Sequence, residues 1–454
     1  MNSDAPSDPQ QSAYKVTLSR LQAELADTRQ QLVDTEQAFG RFVPREFLNF
    51  LSVDNVRSVR LGMQTERRLA ILFADIRNFT ALSETMSPQE NFDFLNSYLS
   101  QMEPVIVPFR GLVDKYIGDA IMALFPEGSD DAVQAALAML ERLDQYNLGR
   151  ERAGYRPIRI GIGINSGNVM LGTVGGSTRM EGTVIGDAVN LASRLEGMSK
   201  VYGAPLLISE HTLHSLIDPT RYCIRFLTRN RVKGKQEAQS VYEVFDADPP
   251  RLRAAKMRTR KRFEEALAFY FVGEISRART RLGRCLEEAP GDAPAELYLA
   301  RCNEFLRSGH GDGVEETELT QTWRENYSSG VAEIDSQHRT LLNLLNALSG
   351  AVREERSSDI SPILVLITQQ ARQQFTAEET LMQESRYPFL ADHLHQHRRF
   401  EENLVLLSKE ILSAAENLIY LAFRIKLLLM DWTINHSTKS DRHLGHHLKS
   451  RSDG

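Results

Sequence analysis

Apolar side chains near the N-terminus recur in alternating steps of three and four residues. The positions in this seam are Leu18, Leu21, Leu25, Thr28, Leu32, Thr35 and Phe39. A heptad seam favours a coiled coil, and a second short helix is predicted over residues 42–51. We therefore expect a coiled coil and signalling helix over residues 13–64, preceded by a disordered polar segment at 1–12. A single amphipathic helix packed on its own domain is the alternative.

Residues 65–246 alternate between strand and helix patterns. The predicted order is strand, helix, strand, strand, helix, strand, at 67–75, 87–105, 111–117, 120–125, 129–147 and 157–164. Gly118 and Asp119 form a two-residue hairpin signal between the middle strands. This order predicts an α+β, ferredoxin-like domain with helices on one face of an antiparallel sheet.

Helical patterns dominate the rest of the chain. Residues 251–262 hold seven Lys or Arg, and a solvated linking helix explains them better than a nucleic-acid patch because no aromatic interleaving accompanies them. The helices over 251–307 resemble one tetratricopeptide repeat with a capping helix, which we expect to act as a spacer. Four more helices, near 331–352, 358–385, 389–412 and 415–445, predict an all-α four-helix bundle over 319–448.

Composition narrows the class of protein. The 454 residues are 42% hydrophobic and 25% charged, which is ordinary for soluble globular proteins, and the length suggests several domains. A net charge of -6 argues against nucleic acid or an anionic membrane as a partner. The three cysteines have no paired spacing that would indicate a disulfide framework or a thiolate zinc site. Since neither a signal peptide nor a membrane span is evident, we expect a cytoplasmic protein.

Two aspartates stand at the ends of neighbouring predicted strands. Asp75 follows the apolar run that begins at Leu69, and Asp119 lies in the predicted hairpin turn. Taken alone, an aspartate at a strand end is most often a solvated turn residue. Two such carboxylates close together suit two divalent ions, which can activate one oxygen and stabilise another in a phosphoryl transfer.

Three blocks around these aspartates resemble the class III nucleotide cyclase catalytic domain. They read F-A-D-I-R-N-F-T, D-K-Y-I-G-D-A-I-M-A-L-F and T-V-I-G-D-A-V-N-L-A-S-R-L-E. The resemblance covers residues 65–246. It implies an adenylate cyclase that converts ATP to 3′,5′-cyclic AMP and pyrophosphate.

The resemblance also implies a role for each matching residue. Asp75, Asp119 and the backbone carbonyl of Ile76 would bind two Mg²⁺ or Mn²⁺ ions. Lys115 and Thr183 would read the purine and select ATP. The other implied substrate and catalytic residues are Phe79, Thr80, Asn190 at the ribose, Arg194 at the α-phosphoryl group, and Lys233 at the terminal phosphates.

In this family the metal aspartates and the purine-reading residues of one site come from different subunits. The resemblance therefore implies that a single chain is inactive and that a symmetric homodimer carries two sites. The N-terminal heptads would serve that dimer. Thr183, where other members have an aspartate, resembles a bacterial subclass that often responds to bicarbonate.

Histidines concentrate in the C-terminal bundle. Their spacing, together with nearby carboxylates, gives one or two inward residues per helix, which makes a metal cage. These residues are His338, Glu378, His393, His397, His436 and Asp441. Imidazoles with bridging carboxylates suit iron, and zinc or manganese also stays open. Because a lone histidine is usually a surface or satisfied residue, a purely structural bundle is the alternative.

The patterns G-V-x-x-I-D-x-Q-H, Q-F-x-x-E-E-T-L-M, Y-P-x-x-x-x-H-x-x-x-H and H-x-x-x-x-D resemble hemerythrin over residues 321–448. The resemblance implies that the six residues bind two non-heme irons, with Glu378 and Asp441 as bridges. Gln374 stands where the family has a histidine. The second iron would then be loosely held, carry water or be absent, unless His395 or His443 substitutes.

The sequence thus predicts a homodimeric adenylate cyclase whose output is set by a C-terminal iron-binding sensor. Candidate regulators are dioxygen, nitric oxide, bicarbonate, redox state and iron supply. The alternative is an iron- or dioxygen-binding protein whose cyclase domain is only a dimeriser. The intact Asp75, Asp119, Asn190 and Arg194 argue against that alternative.

Overall fold

The computed structural model describes residues 9–40, 45–53, 55–176, 178–231, 238–309, 317–413 and 417–452. It divides into a smaller unit, within Met1–Arg67 and Asn168–Gly186, and a larger unit, within Arg68–Gly167 and Asp187–Gly454. Among these described residues, no helix combines the length and the apolarity that crossing a bilayer requires.

The smaller unit contains two helices and a hairpin. The helices are α1 (Pro9–Gly40) and α2 (Arg45–Phe50), and the hairpin pairs β5 (Met180–Ile185) with the second half of β4 (Ile160–Gly175). Phe47 is buried, with its ring over Gly182. A Cβ at Gly182 would meet that ring at 2.7 Å, so α2 packs this closely on β5 only because position 182 is glycine.

Helix α1 corrects one prediction. It begins at Pro9, so residues 9–12 are helical rather than disordered, because proline is tolerated in the first turn of a helix; residues 1–8 lie outside the described part of the chain. The seam leucines, of which Leu21 is 54% and Leu25 53% exposed, have no cover within the described chain. The coiled coil itself stays a prediction.

The larger unit is built on a mixed sheet with the strand order β2-β3-β1-β4-β6-β8-β7. The strands besides β4 are β1 (Gln64–Ile76), β2 (Leu112–Ile117), β3 (Ala120–Phe125), β6 (Leu206–Ser209), β7 (Ile224–Arg231) and β8 (Ala238–Val244). The portion β2-β3-β1-β4 has the predicted ferredoxin-like order, and Gly118 turns the β2–β3 hairpin with φ +65°. The predicted ferredoxin-like unit ends at β4, and beyond it the sheet is mixed, since β4 and β6 are parallel. A helix in the connection between them returns the chain to the same end of the sheet.

Five helices accompany this sheet. They are α3 (Phe79–Ser83), α4 (Pro88–Ile106), α5 (Ser129–Arg152), α6 (Asp187–Tyr202) and α7 (Glu210–Ser215). Alternate residues of β1, namely Ala70, Leu72, Ala74 and Ile76, share one core with α4 and α5. This core fixes the backbone at the end of β1, where Asp75 stands between Ala74 and Ile76 with its side chain on the opposite face of the strand.

The next three helices, α8 (Pro250–Phe271), α9 (Ile275–Glu288) and α10 (Ala293–Ser308), belong to the same core. The basic stretch lies in α8, but it is not simply solvated. Lys256 is 3% exposed and lies 2.8 Å from Glu243 and 2.6 Å from Asp248. Arg225 of β7 is fully buried between Glu243 and Asp292, at 2.6 Å from each. The predicted spacer is therefore a packed layer tied to the sheet by buried ion pairs.

The C-terminal bundle consists of α11 (Ala332–Arg353), α12 (Ser357–Glu384), α13 (Leu390–Leu412) and a long final helix. The final helix joins α14 (Leu418–Ile425), α15 (Asp431–His436) and α16 (Arg442–Ser452) through π-helical turns at Lys426–Met430 and Ser437–Asp441. Phe423 of α14 packs on Phe226 of β7 and stacks on Phe271 of α8 at 6.0 Å between ring centroids. The bundle, the packed layer and the sheet therefore share one aromatic contact.

Candidate functional sites

The first candidate site is a pair of carboxylates at the end of β1. The Ile76 N–H donates a hydrogen bond to Asp119 Oδ2 at 3.3 Å, which fixes the hairpin turn beside the strand end. Burial, a hydrogen bond shared with Asp119 and the charges of Asp119 and Glu196 raise the pKa of Asp75 to about 7. Two carboxylates this close resist joint ionisation. Their hard oxygens suit Mg²⁺ or Mn²⁺, which would relieve the repulsion.

Glu196 is a third acidic group near this pair, and no role was predicted for it. It lies on α6, where burial raises its pKa against the charge of Arg77. A Cβ at Gly163 would come within 2.2 Å of the Glu196 backbone N, and one at Gly161 within 2.1 Å of Ser199 Oγ. The two glycines therefore let α6 lie close on β4. This close approach brings Glu196 beside β1. Glu196 is the last residue of one of the quoted sequence blocks, but its position near Asp75 depends on how α6 packs.

The residues that the sequence predicts around substrate are spread over several elements. Phe79 in α3 stacks on Phe94 at 6.3 Å between centroids, and Thr80 follows it, exposed. Lys115 is half-buried on β2, with its Nζ 3.5 Å from Asp114 Oδ2. Thr183 lies on β5 in the smaller unit, where it pairs with Gly172. Lys233 lies outside the described residues.

Asn190 and Arg194 are both exposed on α6. Their spacing of four places them on one face of that helix. Among the described residues, no hydrogen bond or ion pair joins either side chain to Asp75 or Asp119. The structure thus brings Asp75, Ile76 and Asp119 together but does not connect them to the predicted ribose and phosphoryl residues.

The second candidate site lies inside the bundle, and all four helices contribute to it. Each predicted ligand is at most 3% exposed. The residues are His338 on α11, Gln374 and Glu378 on α12, His393 and His397 on α13, and His436 and Asp441 on the final helix. In α12 and α13 the spacing of four turns both residues inward.

The final helix needs a special turn to do the same. His436 and Asp441 are five residues apart, and in a regular α-helix they would point in different directions. The π-helical turn at Ser437–Asp441 corrects this, because a π-turn closes between residues five apart. Both side chains consequently face the bundle interior.

Glu378 anchors one end of this cluster. Its Oε2 lies 3.5 Å from His393 Nε2, 2.9 Å from His397 Nε2 and 3.7 Å from His436 Nε2. These four residues form one group whose donor atoms lie within 4.8 Å of one another, and His338, Glu378 and Asp441 form a second such group. Three imidazoles and a carboxylate are a ligand set suited to iron, zinc or manganese.

Asp441 lies between the two groups. Its Oδ2 is 3.0 Å from His338 Nε2, and its Oδ1 is 3.2 Å from both His393 Nε2 and His436 Nε2. The Asp441 oxygens and the Nε2 atoms of His338 and His393 are nevertheless buried without a hydrogen-bond partner. Donors that are close but poorly aligned to one another fit a shared metal ion at their centre. The residues present therefore fit the implied metal.

Outer contacts orient these ligands. His397 Nδ1 lies 3.2 Å from Glu379 Oε1, and His436 Nδ1 lies 3.0 Å from Gln396 Oε1. The His397 ring stacks on Phe375 at 4.0 Å between centroids. Such partners fix the ring orientation and the tautomer of a metal-binding histidine. These partners were not predicted from the sequence, because they depend on how the helices face one another.

The charges within the cluster shift the pKa values of its histidine and carboxyl groups. Burial lowers the pKa of His393, but its interactions with Asp441 and Glu378 outweigh burial and raise that pKa to about 9. Burial raises the pKa of Glu378 and Asp441, yet the surrounding imidazoles bring both well below the usual range. Metal binding at these atoms requires neutral imidazoles, so protons and metal compete.

The two histidines considered as substitutes for Gln374 point elsewhere. His395 Nε2 donates to the backbone oxygen of His214 at 3.1 Å, and His443 Nδ1 lies 2.7 Å from the Tyr387 hydroxyl. Neither belongs to the metal-capable groups of the described chain. Gln374 itself is fully buried in the cluster.

Comparison with known proteins identifies both regions. Residues 61–244 match the adenylate and guanylate cyclase catalytic domain, and residues 329–446 match the hemerythrin HHE cation binding domain. Both resemblances stated from the sequence are thereby confirmed.

Two relatives have names that specify an activity. An adenylate cyclase of Anabaena cylindrica is 43% identical over 238 residues, which are 51% of this chain and 47% of that protein. The terminal-differentiation specific adenylate cyclase of Dictyostelium discoideum is 35% identical over 305 residues, which are 65% of this chain and 14% of that protein. The chain thus spans less than half the length of either relative.

Solved structures also align with the chain. The adenylyl cyclase CyaB from P. aeruginosa is 34% identical, with 40% of this chain and 96% of that chain covered and a TM-score of 0.37. A bacterial light-regulated adenylyl cyclase is 26% identical, with 49% and 64% covered and a TM-score of 0.43.

Proposed function

We propose that this chain is an adenylate cyclase whose activity the bundle regulates. The chain combines a cyclase catalytic domain with a hemerythrin HHE domain. In the proposed reaction the ribose 3′-oxygen bonds to the α-phosphorus of ATP and the bond from that phosphorus to the β-phosphate oxygen breaks. The products are 3′,5′-cyclic AMP, pyrophosphate and the proton of the hydroxyl. The names of the two relatives support ATP as the substrate.

The observation that carries this activity is the contact between Asp75 and Asp119. The pKa of about 7 for Asp75 reflects burial and repulsion that a cation would remove. Two Mg²⁺ or Mn²⁺ ions bound there would supply positive charge to the attacking and leaving oxygens. Asp75, Asp119 and the Ile76 carbonyl would hold them.

We propose that a second copy of the chain completes each site. In the family pattern Lys115 and Thr183 read the adenine, Asn190 holds the ribose and Arg194 meets the α-phosphoryl charge. An always-charged guanidinium with a planar fork of donors suits that last role. The exposed leucines of α1 support the dimer, because pairing two such helices would bury them. Phe79, Thr80 and Lys233 are the remaining proposed substrate contacts.

Regulation is supported by helix α7 of the cyclase domain, which touches two of the three histidine-bearing helices of the bundle. Arg399 of α13 donates to the backbone oxygens of Leu216 and, at 2.8 Å, Ile217, just after α7. His395 bonds the His214 oxygen on α7 itself. Both residues lie on the same helix as His393 and His397. A displacement of these ligands would therefore move the contacts that Arg399 and His395 make with α7 and the residues after it.

The final helix makes a second connection. Asn435, next to His436, donates to the buried carboxylate of Glu210, the first residue of α7. Asp431 of the same helix lies 2.8 Å from Arg229 of β7 and 2.8 Å from Lys426. These contacts offer a packed route by which metal occupancy or oxidation state would bias the cyclase.

Turnover and specificity test the proposal directly. The purified full chain is incubated with Mn²⁺ and either ATP or GTP, and cyclic nucleotides are measured by chromatography. We expect cyclic AMP from ATP and little product from GTP. The absence of cyclic AMP would contradict the enzyme assignment. Repeating the assay with iron-loaded and chelator-treated protein, in air and without oxygen, tests regulation by iron, redox state or dioxygen; nitric oxide and bicarbonate are added in separate arms.

A further inference from the structure

The metal cluster of the bundle has two unequal ends. We propose that the end with three imidazoles holds one ion tightly, while the other end is an oxygen-rich position, controlled by Gln374, that binds a second ion weakly. This inference rests on the proposed metal-binding function of the bundle.

The strong end is complete. His393, His397 and His436 all direct Nε2 at Glu378 Oε2, at 2.9–3.7 Å. Asp441 Oδ1 adds an oxygen 3.2 Å from two of these nitrogens. Three nitrogen and two oxygen donors fill most of the coordination sphere of a divalent transition metal.

The weak end has a single imidazole. His338 Nε2 lies 3.0 Å from Asp441 Oδ2, so each oxygen of Asp441 serves one end of the cluster. The two oxygens of Glu378 do not each face one end of the cluster. Its Oε2 faces the three imidazoles, while its Oε1 accepts a hydrogen bond from Gln374 Nε2 at 2.9 Å.

Gln374 therefore makes a hydrogen bond to the oxygen through which Glu378 would contact the second ion. The amide is fully buried, and its own Oε1 has no hydrogen-bond partner among the described residues. An unpaired buried carbonyl costs free energy, so a partner for it is favoured. If the amide turns over, Gln374 releases Glu378 and presents Oε1 as a ligand. The second ion must drive that rearrangement, which weakens its binding.

The donor set also determines which ion binds there. The second position offers one nitrogen, from His338, and oxygens from Asp441, Glu378 and Gln374. Carboxylate and amide oxygens suit Mn²⁺ better than zinc, whereas imidazoles suit iron and zinc. The cluster is therefore built to hold two different ions, or to fill its second position only at high metal concentration.

Metal retention by the full chain tests this proposal. The protein is loaded without oxygen with excess Fe²⁺, alone or with Mn²⁺, dialysed against metal-free buffer and analysed by mass spectrometry. The cyclase carboxylates are removed from the count by using the Asp119→Ala chain. We expect about one iron per chain after Fe²⁺ alone, and, in samples of the mixed loading taken before dialysis, a signal of bound manganese in the electron paramagnetic resonance spectrum.

Variants of α12 separate the roles. Gln374→His should raise retained iron to about two per chain, because it restores an imidazole to the weak end. Gln373→His adds a histidine at an exposed position of the same helix and should leave the count unchanged. Gln374→Glu introduces no ring and keeps the size of the native side chain, and it should increase manganese retention. It serves as the second test if the Gln374→His chain does not fold.

The possible outcomes distinguish a failure of this inference from a failure of the proposed metal-binding function. Two irons retained by the unmodified chain, or one iron retained by a folded Gln374→His chain, would overturn this inference while leaving the bundle a metal-binding domain. No metal retained by either chain would overturn the proposed metal-binding function itself.

Discussion

The two carboxylate clusters of this chain differ in how completely one copy surrounds them. In the bundle, Asp441 and Glu378 are fully buried, and α11, α13 and the final helix of the same chain bring imidazoles to them. In the cyclase domain, Asp75 and Asp119 meet at a half-buried strand end. Asn190 and Arg194 stay exposed and unconnected to them.

This difference indicates a division of labour. A site that one chain closes can respond to its ligand in any state of association. A site that one chain leaves open responds to how two copies meet. In the proposed function, the bundle would therefore act as the sensor, and the cyclase would be controlled through the geometry of the dimer. Helix α7, which contacts both α13 and the final helix, is where the two would be coupled.

The largest effect is expected from Asp119→Ala. Loss of a metal-binding carboxylate should reduce cyclic AMP formation by about 1000-fold or more, measured with Mn²⁺ and ATP. Metal retained by the bundle should not change, because the two sites share no residue. Asp93→Ala, which removes an exposed carboxylate of α4, serves as the matched control. Activity that survives Asp119→Ala would contradict the assignment of the cyclase site.

The complementary change is His436→Ala in the bundle. We expect at least about 100-fold weaker metal binding by competition with a chelator, since a direct ligand is lost. Cyclic AMP formation with Mg²⁺ and ATP, measured after metal has been removed from the bundle, should stay as in the unmodified chain. His446→Ala, at an exposed position of the same final helix, should alter neither. Unchanged metal affinity in His436→Ala would contradict the ligand assignment.

The interface between cyclase and bundle should make stability depend on pH through Glu210. Burial, then the charge of Asp431, opposed by Lys439, raise the pKa of Glu210 to about 7. The folded chain thus holds this proton more tightly than the unfolded chain, in which the carboxyl has its ordinary pKa of 4.5. The stabilisation is full below that value and is lost as pH rises through 7.

The variant Glu210→Gln isolates this contribution, because the amide mimics the protonated acid. The melting temperature of the unmodified chain should fall relative to that of Glu210→Gln between pH 5 and pH 8, by the equivalent of at most about 3 kcal/mol. A constant difference across this range would show that Glu210 does not titrate there.

The smallest effect is expected at the contact between the two domains. Asn435→Ala removes the hydrogen bond to Glu210 but no proposed ligand. Metal content should be preserved, while the ratio of cyclase rates with loaded and metal-free bundle should move toward one by about threefold. Ser450→Ala, at an exposed position farther along the same helix, is the control. An unchanged ratio would indicate that coupling does not pass through this contact.

Local patterns predicted much of this molecule. The hairpin at Gly118 and Asp119 follows from a short-range turn signal, and the inward pairs of α12 and α13 follow from helical spacing. The residues proposed as ligands in the bundle came from the spacing of the histidines and from the resemblance to hemerythrin, and their binding of metal stays a prediction. The chemistry assigned to individual cyclase residues came from the family resemblance, and their catalytic roles stay predictions.

The features that were missed depend on contacts between distant segments. Glu196 reaches β1 only because Gly161 and Gly163 admit α6 against the sheet. The π-turn before Arg442 inserts an extra residue per turn, which a pattern of helical period does not reveal. The burial of Lys256 likewise depends on carboxylates from β8 and the loop after it.

The central claim is that two copies of the chain build each cyclase site, and mixing two defective chains tests it most directly. Asp119→Ala lacks the metal carboxylate and Arg194→Ala lacks the phosphoryl-binding cation, so each alone should be nearly inactive. An equal mixture that exchanges partners at random should recover about a quarter of the unmodified rate, since half of the dimers carry one intact site of two. A mixture no more active than the sum of its parts, with chain exchange verified, would contradict the shared site.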